Sequence, residues 1–412
     1  MVFTATAALF SSLVSFDASF AQTADEIRDR IEEKDDEIRK LEKEIAAFQK
    51  EIDTLGKQKS TLSGEIKQLD LTKKKLSADI KVTENKISKT NLKIEDLGLD
   101  IGDKETSINH NEGSIELGIK NMNELEEKTL VEVLLSDQDY GEIWADLDNM
   151  ITIRENLRRN IVALKETKVI LEDTRTETIK AKDELTKLKS QLAAQEKIVV
   201  QNTNAKSSLL KATQNNEANY QKLLKDRVAK KEAFEKELED YEAELKFILD
   251  PSKLPTGRVL SWPLNSIYVT SPYAPRWGGF HRGTDFRASV GTQVKAVADG
   301  EVLGTGDTDV CCPGASFGKW VFVEHTNGLS STYAHLSLIS VNKGQKVSRG
   351  QLLGYSGNTG SSTGPHLHLS LYISSGVKVA SFPSKSYPGK TLIQPISATE
   401  AYLDPMKYLP SL

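Results

Sequence analysis

For its first 250 residues the chain contains no proline, and all 12 prolines fall at Pro251 or later. Proline lacks the backbone donor and clashes with the preceding helical turn. A long proline-free run can therefore stay helical where a proline-dense run cannot. Nineteen of the 26 glycines and 16 of the 27 aromatic residues also lie beyond residue 250. Two physical regimes meet at Asp250-Pro251, and a single globular domain is excluded.

The proline-free part carries a heptad repeat. One register reads Ile31, Ile38, Ile45, Ile52 and onward to Ile115, interrupted only at Lys59 and Lys73. The other reads Leu41, Leu55, Leu62, Leu69 and Leu76, with Leu97 and Leu125 beyond. Alternating spacings of three and four, with isoleucine at a and leucine mostly at d, mark a left-handed coiled coil. A looser seam runs from Leu157 to Ile248, with Gln195, Asn202 and Asn216 near it; such polar breaks predict locally weak packing. The two stretches, 27–125 and 154–248, are nearly equal in length. That match predicts an antiparallel helical hairpin with its tip around Trp144, although the isoleucine and leucine choice also suits a parallel dimer.

Met1 to Phe16 has no charged residue, and Ser19 and Ala21 precede Gln22 as small residues at alternate positions. This predicts a secretory leader cleaved after Ala21, hence an exported protein of the periplasm, envelope or exterior. The segment lacks the usual basic residue, and a retained anchor is the alternative. A net charge of −5 with both signs interspersed argues against nucleic-acid binding. Cys311 and Cys312, the only cysteines, are too isolated to form a zinc site; an oxidising compartment would favour their oxidation.

Beyond the linker, β-favouring runs alternate with glycine turns, as in Lys319–His325 and His366–Tyr372, which predicts one small all-β domain. Five of the six histidines lie there: His281, His325, His335, His366 and His368. His281 precedes Asp285 by four residues, and His366 and His368 share one face of a strand. Singly, each would be an ordinary core or surface residue. Together, a His-X-X-X-Asp pair and one member of a His-X-His pair supply two imidazoles and a carboxylate. That set suits a catalytic zinc with an open fourth position, and the remaining histidines can serve as base or electrostatic partners.

The segments His281-Arg-Gly-Thr-Asp285, Tyr333-Ala-His335-Leu and Gly364-Pro-His366-Leu-His368 resemble those of the lysostaphin-like (LytM-type) zinc endopeptidases. The resemblance covers roughly residues 256–380. It implies zinc ligation by His281, Asp285 and His368, catalytic roles for His335 and His366, and hydrolysis of peptide cross-links in bacterial peptidoglycan. His325 lies outside the motifs and reads as structural. An exported coil followed by such a domain is also similar to the EnvC group of murein hydrolase activators. In that group metal sites are often degenerate, the coil engages a membrane-bound division complex, and a helical element can block the groove. All five site positions are filled here, which favours an active enzyme in cell-wall remodelling or daughter-cell separation over a non-enzymatic amidase activator. The expected divisions are a leader over 1–21, coiled-coil arms over 22–126 and 154–250, a tip over 127–153, a linker over 251–263 and a β-rich peptidase domain over 264–412.

Overall fold

The computed structural model describes residues 18–55, 61–126, 140–245, 247, 250, 254–276 and 279–412. They divide into two compact units. One holds the chain up to Lys40 with Lys81–Gln191, and the other holds Leu41–Ile80 with Leu192–Leu412. Among the described residues, no helix is long and apolar enough to cross a membrane.

The first unit is helical, built from parts of α1 (Ala18–Leu55), α2 (Leu62–Glu126) and α3 (Tyr140–Thr213). Arg175 pairs with Glu105 and Lys168 with Glu112, so α3 runs antiparallel to α2, as the matched arm lengths predict. Lys89 pairs with Asp35, and Arg28 with Asp96, so α1 also runs antiparallel to α2. The first arm is therefore two helices rather than one. The heptad hides the reversal because both helices keep their apolar stripe; Gly56 and Lys59 lie between them. Such exposed ion pairs contribute about 1 kcal/mol at most. Burial of seam residues such as Ile38, Leu92, Leu97 and Leu171 contributes more. Residues 127–139 of the expected tip lie outside the described residues, and from Tyr140 onward the tip is already helix.

In the second unit the root of the arms is fused to the β domain. Leu76 and Ile198 are buried with Tyr355 of the sheet. Asn202, expected to loosen the seam, instead donates its amide to the Leu69 carbonyl at 2.8 Å. The second arm also breaks. Gln214 and Asn215 take left-handed backbone angles, φ 51° and 54°, which stop α3. Asn216 then caps α4 (Glu217–Ala243) by accepting from the amides of Ala218 and Asn219. The later part of the α4 stripe, which reads as coil seam, packs on the β domain. Phe234 is buried with Cys312, Phe382, Leu392 and Ile396. The expected linker is likewise stitched into this unit from Arg258, whose guanidinium donates to the Leu409 carbonyl at 2.6 Å.

The domain is all-β. Its main sheet runs β1 (Val269–Ser271), β4 (Thr284–Arg287), β11 (His366–Ile373), β8 (Leu329–Ile339), β7 (Lys319–His325), β6 (Gly300–Asp307) and β9 (Lys346–Val347). A separate hairpin pairs β12 (Val377–Ser384) with β13 (Lys390–Ser397), and β14 (Tyr402–Leu403) pairs with β11. Central strand β7 is covered on both faces. Val321 and Val323 enter the main core, while Trp320 and Phe322 join Tyr372 and Tyr402 on the other side.

His325 closes β7 as a core residue, its Nε2 2.7 Å from the Ser331 hydroxyl. Burial pushes its imidazole from an ordinary 6.5 down to about 4. The unfolded chain takes up this proton near pH 6.5, whereas the folded chain resists until about 4. The contribution of this histidine is thus full above pH 6.5 and falls between 6.5 and 4, by about 3 kcal/mol at the lower end. Urea unfolding at pH 4 and 7 should isolate this term by difference: going from pH 7 to pH 4, the wild-type chain should lose more stability, or gain less, than His325→Gln.

Candidate functional site

The site is assembled by strand register. Antiparallel β4 and β11 place Asp285 directly opposite His368. His281, the last residue of β3 (Gly279–His281), joins them from the side. A side chain at Gly283 would lie 2.5 Å from the His368 ring, so the glycine of the His-Arg-Gly-Thr-Asp motif makes room for that ring. The Asp285 carboxylate lies 2.8 Å from His368 Nδ1 and 3.2 Å from His281 Nε2, and the two nitrogens are 3.1 Å apart. Two-ångström bonds to a tetrahedral zinc would place donors roughly 3.3 Å apart.

Burial pushes the Asp285 carboxyl up, but hydrogen bonding to His281 and His368 outweighs it and holds the group well below the carboxylate range. The outer nitrogens also face acceptors. His281 Nδ1 lies 2.8 Å from the Pro272 carbonyl. His368 Nε2 lies 2.8 Å from the Ser370 hydroxyl, which itself donates to the Arg282 carbonyl. Each ring needs protons on both nitrogens, yet burial pushes His368 toward its neutral, singly protonated form. With the outer nitrogens protonated, three bare lone pairs converge on one point. A divalent cation satisfies them, and orientation by outer carbonyls and hydroxyls is usual for metal-bound histidines. These three residues are the one group of this kind among those described.

His335 and His366 flank the cluster, their ring centres 4.6 Å apart. His335 takes a left-handed φ of 59°, a strained conformation for a non-glycine residue that clusters at functional sites. Its Nδ1 donates to the Thr359 carbonyl at 2.8 Å, leaving Nε2 as a free base. Burial, then the neighbouring His366 and His368, push its pKa well below the ordinary value. His366 donates Nδ1 to the Gly364 carbonyl at 2.7 Å, and its Nε2 lies 3.5 Å from Asp285. The glycine loop thus anchors both rings through its carbonyls. All five residues singled out in the sequence come together, and His325 does not.

The residues missed are those of α4 and its dock. A cavity of about 160 Å³ is lined by the site histidines and by Phe234, Leu238, Glu239 and Glu242 of α4. Arg282 reaches Glu242 at 3.2 Å and Glu239 at 3.4 Å. The Tyr402 hydroxyl donates to Glu242 at 2.7 Å. Burial pushes the Glu242 carboxyl up to about 7, against the pull of Tyr402 and Arg282. Glu237 accepts hydrogen bonds from Ser384, Lys385 and Ser386 at the hairpin turn. Burial opposes its charge, but these donors hold the carboxyl below its ordinary value. A glutamate every two or three residues along an apolar stripe was the available signal, and it is hard to separate from ordinary coil surface.

Two imidazoles and a carboxylate around one point, with two further imidazoles beside it, suit a catalytic metal with acid–base groups at hand. Residues 279–380 match the model of peptidase family M23, and the chain carries a domain of that family. The peptidoglycan DD-endopeptidase ShyA of Vibrio cholerae is 46% identical over 105 residues, 26% of this chain and 22% of that protein. A glycyl-glycine endopeptidase of Staphylococcus capitis is 43% identical over 91 residues, 22% of this chain and 24% of that protein. The solved catalytic domain of lysostaphin from Staphylococcus simulans is 29% identical, covering 34% of this chain and 90% of that one at a TM-score of 0.26. The chain thus spans less than a quarter of the length of these two curated relatives.

Phe234 is the apolar anchor of α4, 6.0 Å from Phe382 in an edge-to-face contact. Phe234→Ala should weaken docking by about 3–5 kcal/mol. Hydrogen exchange should accelerate along α4 while β7 and β8 stay protected.

Proposed function

We propose that the chain is a zinc-dependent endopeptidase that hydrolyses peptide cross-links of bacterial peptidoglycan, exported to the cell envelope and positioned by its coiled coil. The observation that carries this reading is the proton conflict at His281, Asp285 and His368, which a cation resolves beside two further imidazoles. Zinc there would act as a Lewis acid toward the scissile carbonyl and lower the pKa of a bound water toward ~7. His335 Nε2, unprotonated, accepts a proton from the attacking water and later returns it to the leaving amine. His366, with Nδ1–H held by the Gly364 carbonyl, donates Nε2–H to the oxyanion when its ring carries a second proton; the oxyanion forms as the water oxygen bonds the carbonyl carbon, and its collapse breaks the C–N bond. Asp285 stays ionised throughout, and the Pro272 carbonyl and Ser370 hydroxyl keep the two ligand rings oriented.

Because α4 lies against the site, a cross-linked peptide needs α4 displaced. A partner that grips the coil, such as a membrane-bound division complex, could do this. The same covering helix favours a second reading, a non-enzymatic amidase activator. Purified protein should bind about one zinc per chain and release soluble fragments from sacculi in a chelator-sensitive way. His281→Ala and His368→Ala should lose both properties. His335→Ala should keep zinc and slow release by about 10²–10⁴-fold. A wild-type chain that binds no zinc, and lyses sacculi only with added amidase, would leave the activator reading.

A further inference from the structure

We propose that Arg282, Thr399 and Tyr402 form a carboxylate-binding subsite beside the metal centre. In this structure α4 fills it with Glu239 and Glu242, and in turnover it selects peptides with a free carboxylate next to the scissile amide. The proposal rests on the endopeptidase reading and narrows its substrate.

Arg282 directly follows the ligand His281. Its carbonyl accepts from Ser370, which also holds the ligand His368, so its backbone is fixed relative to the metal centre. Its side chain is only 14% exposed and lies 5.6 Å over the Tyr402 ring. One guanidinium nitrogen meets Glu242 at 3.2 Å; another meets both Glu239 and the Thr399 hydroxyl at 3.4 Å. Tyr402 adds its hydroxyl to Glu242. The slot is thus a rigid fork with a phenol donor, suited to a planar carboxylate. Thr399 and Tyr402 lie beyond residues 279–380, so the family match does not supply these two.

When α4 leaves, Arg282 loses both counter-charges together with its cover. The opened guanidinium then faces solvent with its backbone still fixed, and an anion from the incoming peptide restores the paired arrangement. The helix therefore occupies the slot as a carboxylate mimic. Burial pushes the Glu242 acid upward because α4 closes over it; a peptide carboxylate entering an open cleft keeps part of its hydration. A neutral oligoglycine bridge offers nothing to this slot, whereas a cross-link with a free acid beside the cut does.

The test uses the full-length zinc-loaded chain and two synthetic cross-linked peptides, alike except that the carboxylate beside the scissile amide is free in one and amidated in the other. Binding is measured by calorimetry in a His335→Ala background, and hydrolysis by mass in the wild-type chain. The free acid should bind roughly tenfold or more tightly than the amide. Arg282→Gln should erase that ratio, Arg282→Lys should restore part of it, and Tyr402→Phe should narrow it. Glu239→Gln with Glu242→Gln removes the internal competitor and should tighten free-acid binding. If Arg282→Gln does not fold, Tyr402→Phe and the paired glutamate variant still decide the question. Equal or absent binding of the two peptides in both the parent and the paired variant overturns the subsite, as does a preference that survives Arg282→Gln. A binding preference without hydrolysis keeps the subsite and removes the endopeptidase reading. Hydrolysis of both peptides at equal kcat/KM does the reverse.

Discussion

Three lone pairs aimed at one buried point organise this domain. Asp285 and His368 face each other because β4 and β11 pair antiparallel in one register. A one-residue slip would turn both side chains to the opposite face. The outer nitrogens of His281 and His368 are committed to a carbonyl and a hydroxyl, so the inner nitrogens cannot both carry protons without charging buried rings. Much of the local sequence serves this arrangement. Gly283 clears space for the His368 ring, Ser370 extends the His366, His368 alternation one step to hold it, and the 357–364 loop supplies the carbonyls that orient His335 and His366.

The second governing contact is α4 on the same domain. Its apolar anchor, Phe234, sits among Phe382, Leu392 and Ile396, while Glu237 takes hydrogen bonds from the hairpin turn. These contacts lie largely outside the segment that matches the M23 family. They bring Glu239 and Glu242 to Arg282, the residue after His281. One helix therefore links the arm to the chemistry, and the chain's division at Asp250-Pro251 is compositional rather than structural. The second unit contains the roots of both arms and the sheet together.

The legible parts of the fold were those with local causes. Strand β7 spans Lys319–His325, as its β-favouring run predicts, and β11 starts at His366. The five site residues were legible because their spacings are fixed by strand alternation and by glycine turns. The break after Thr213 had a local signal in Gln214-Asn215-Asn216, but the continuing apolar stripe masked it. The reversal between α1 and α2 was less visible still, since a heptad specifies an apolar face without saying which helix meets it. Asn202 shows the same limit: it reads as a weak point of a seam, yet it is satisfied by the Leu69 carbonyl.

By itself, the sequence determined a helical part, a β part and the five residues that cluster in the β domain, because proline exclusion, period and motif spacing are properties of neighbours along the chain. Tertiary structure alone decided that the first arm folds back, that α4 from Phe234 onward docks on the β domain, and that Arg282 holds two carboxylates from a helix some 40 residues before it. Those outcomes depend on which apolar faces and charges find each other across the fold. An amphipathic stripe carries no label for its partner, so burial and charge pairing in three dimensions make the choice.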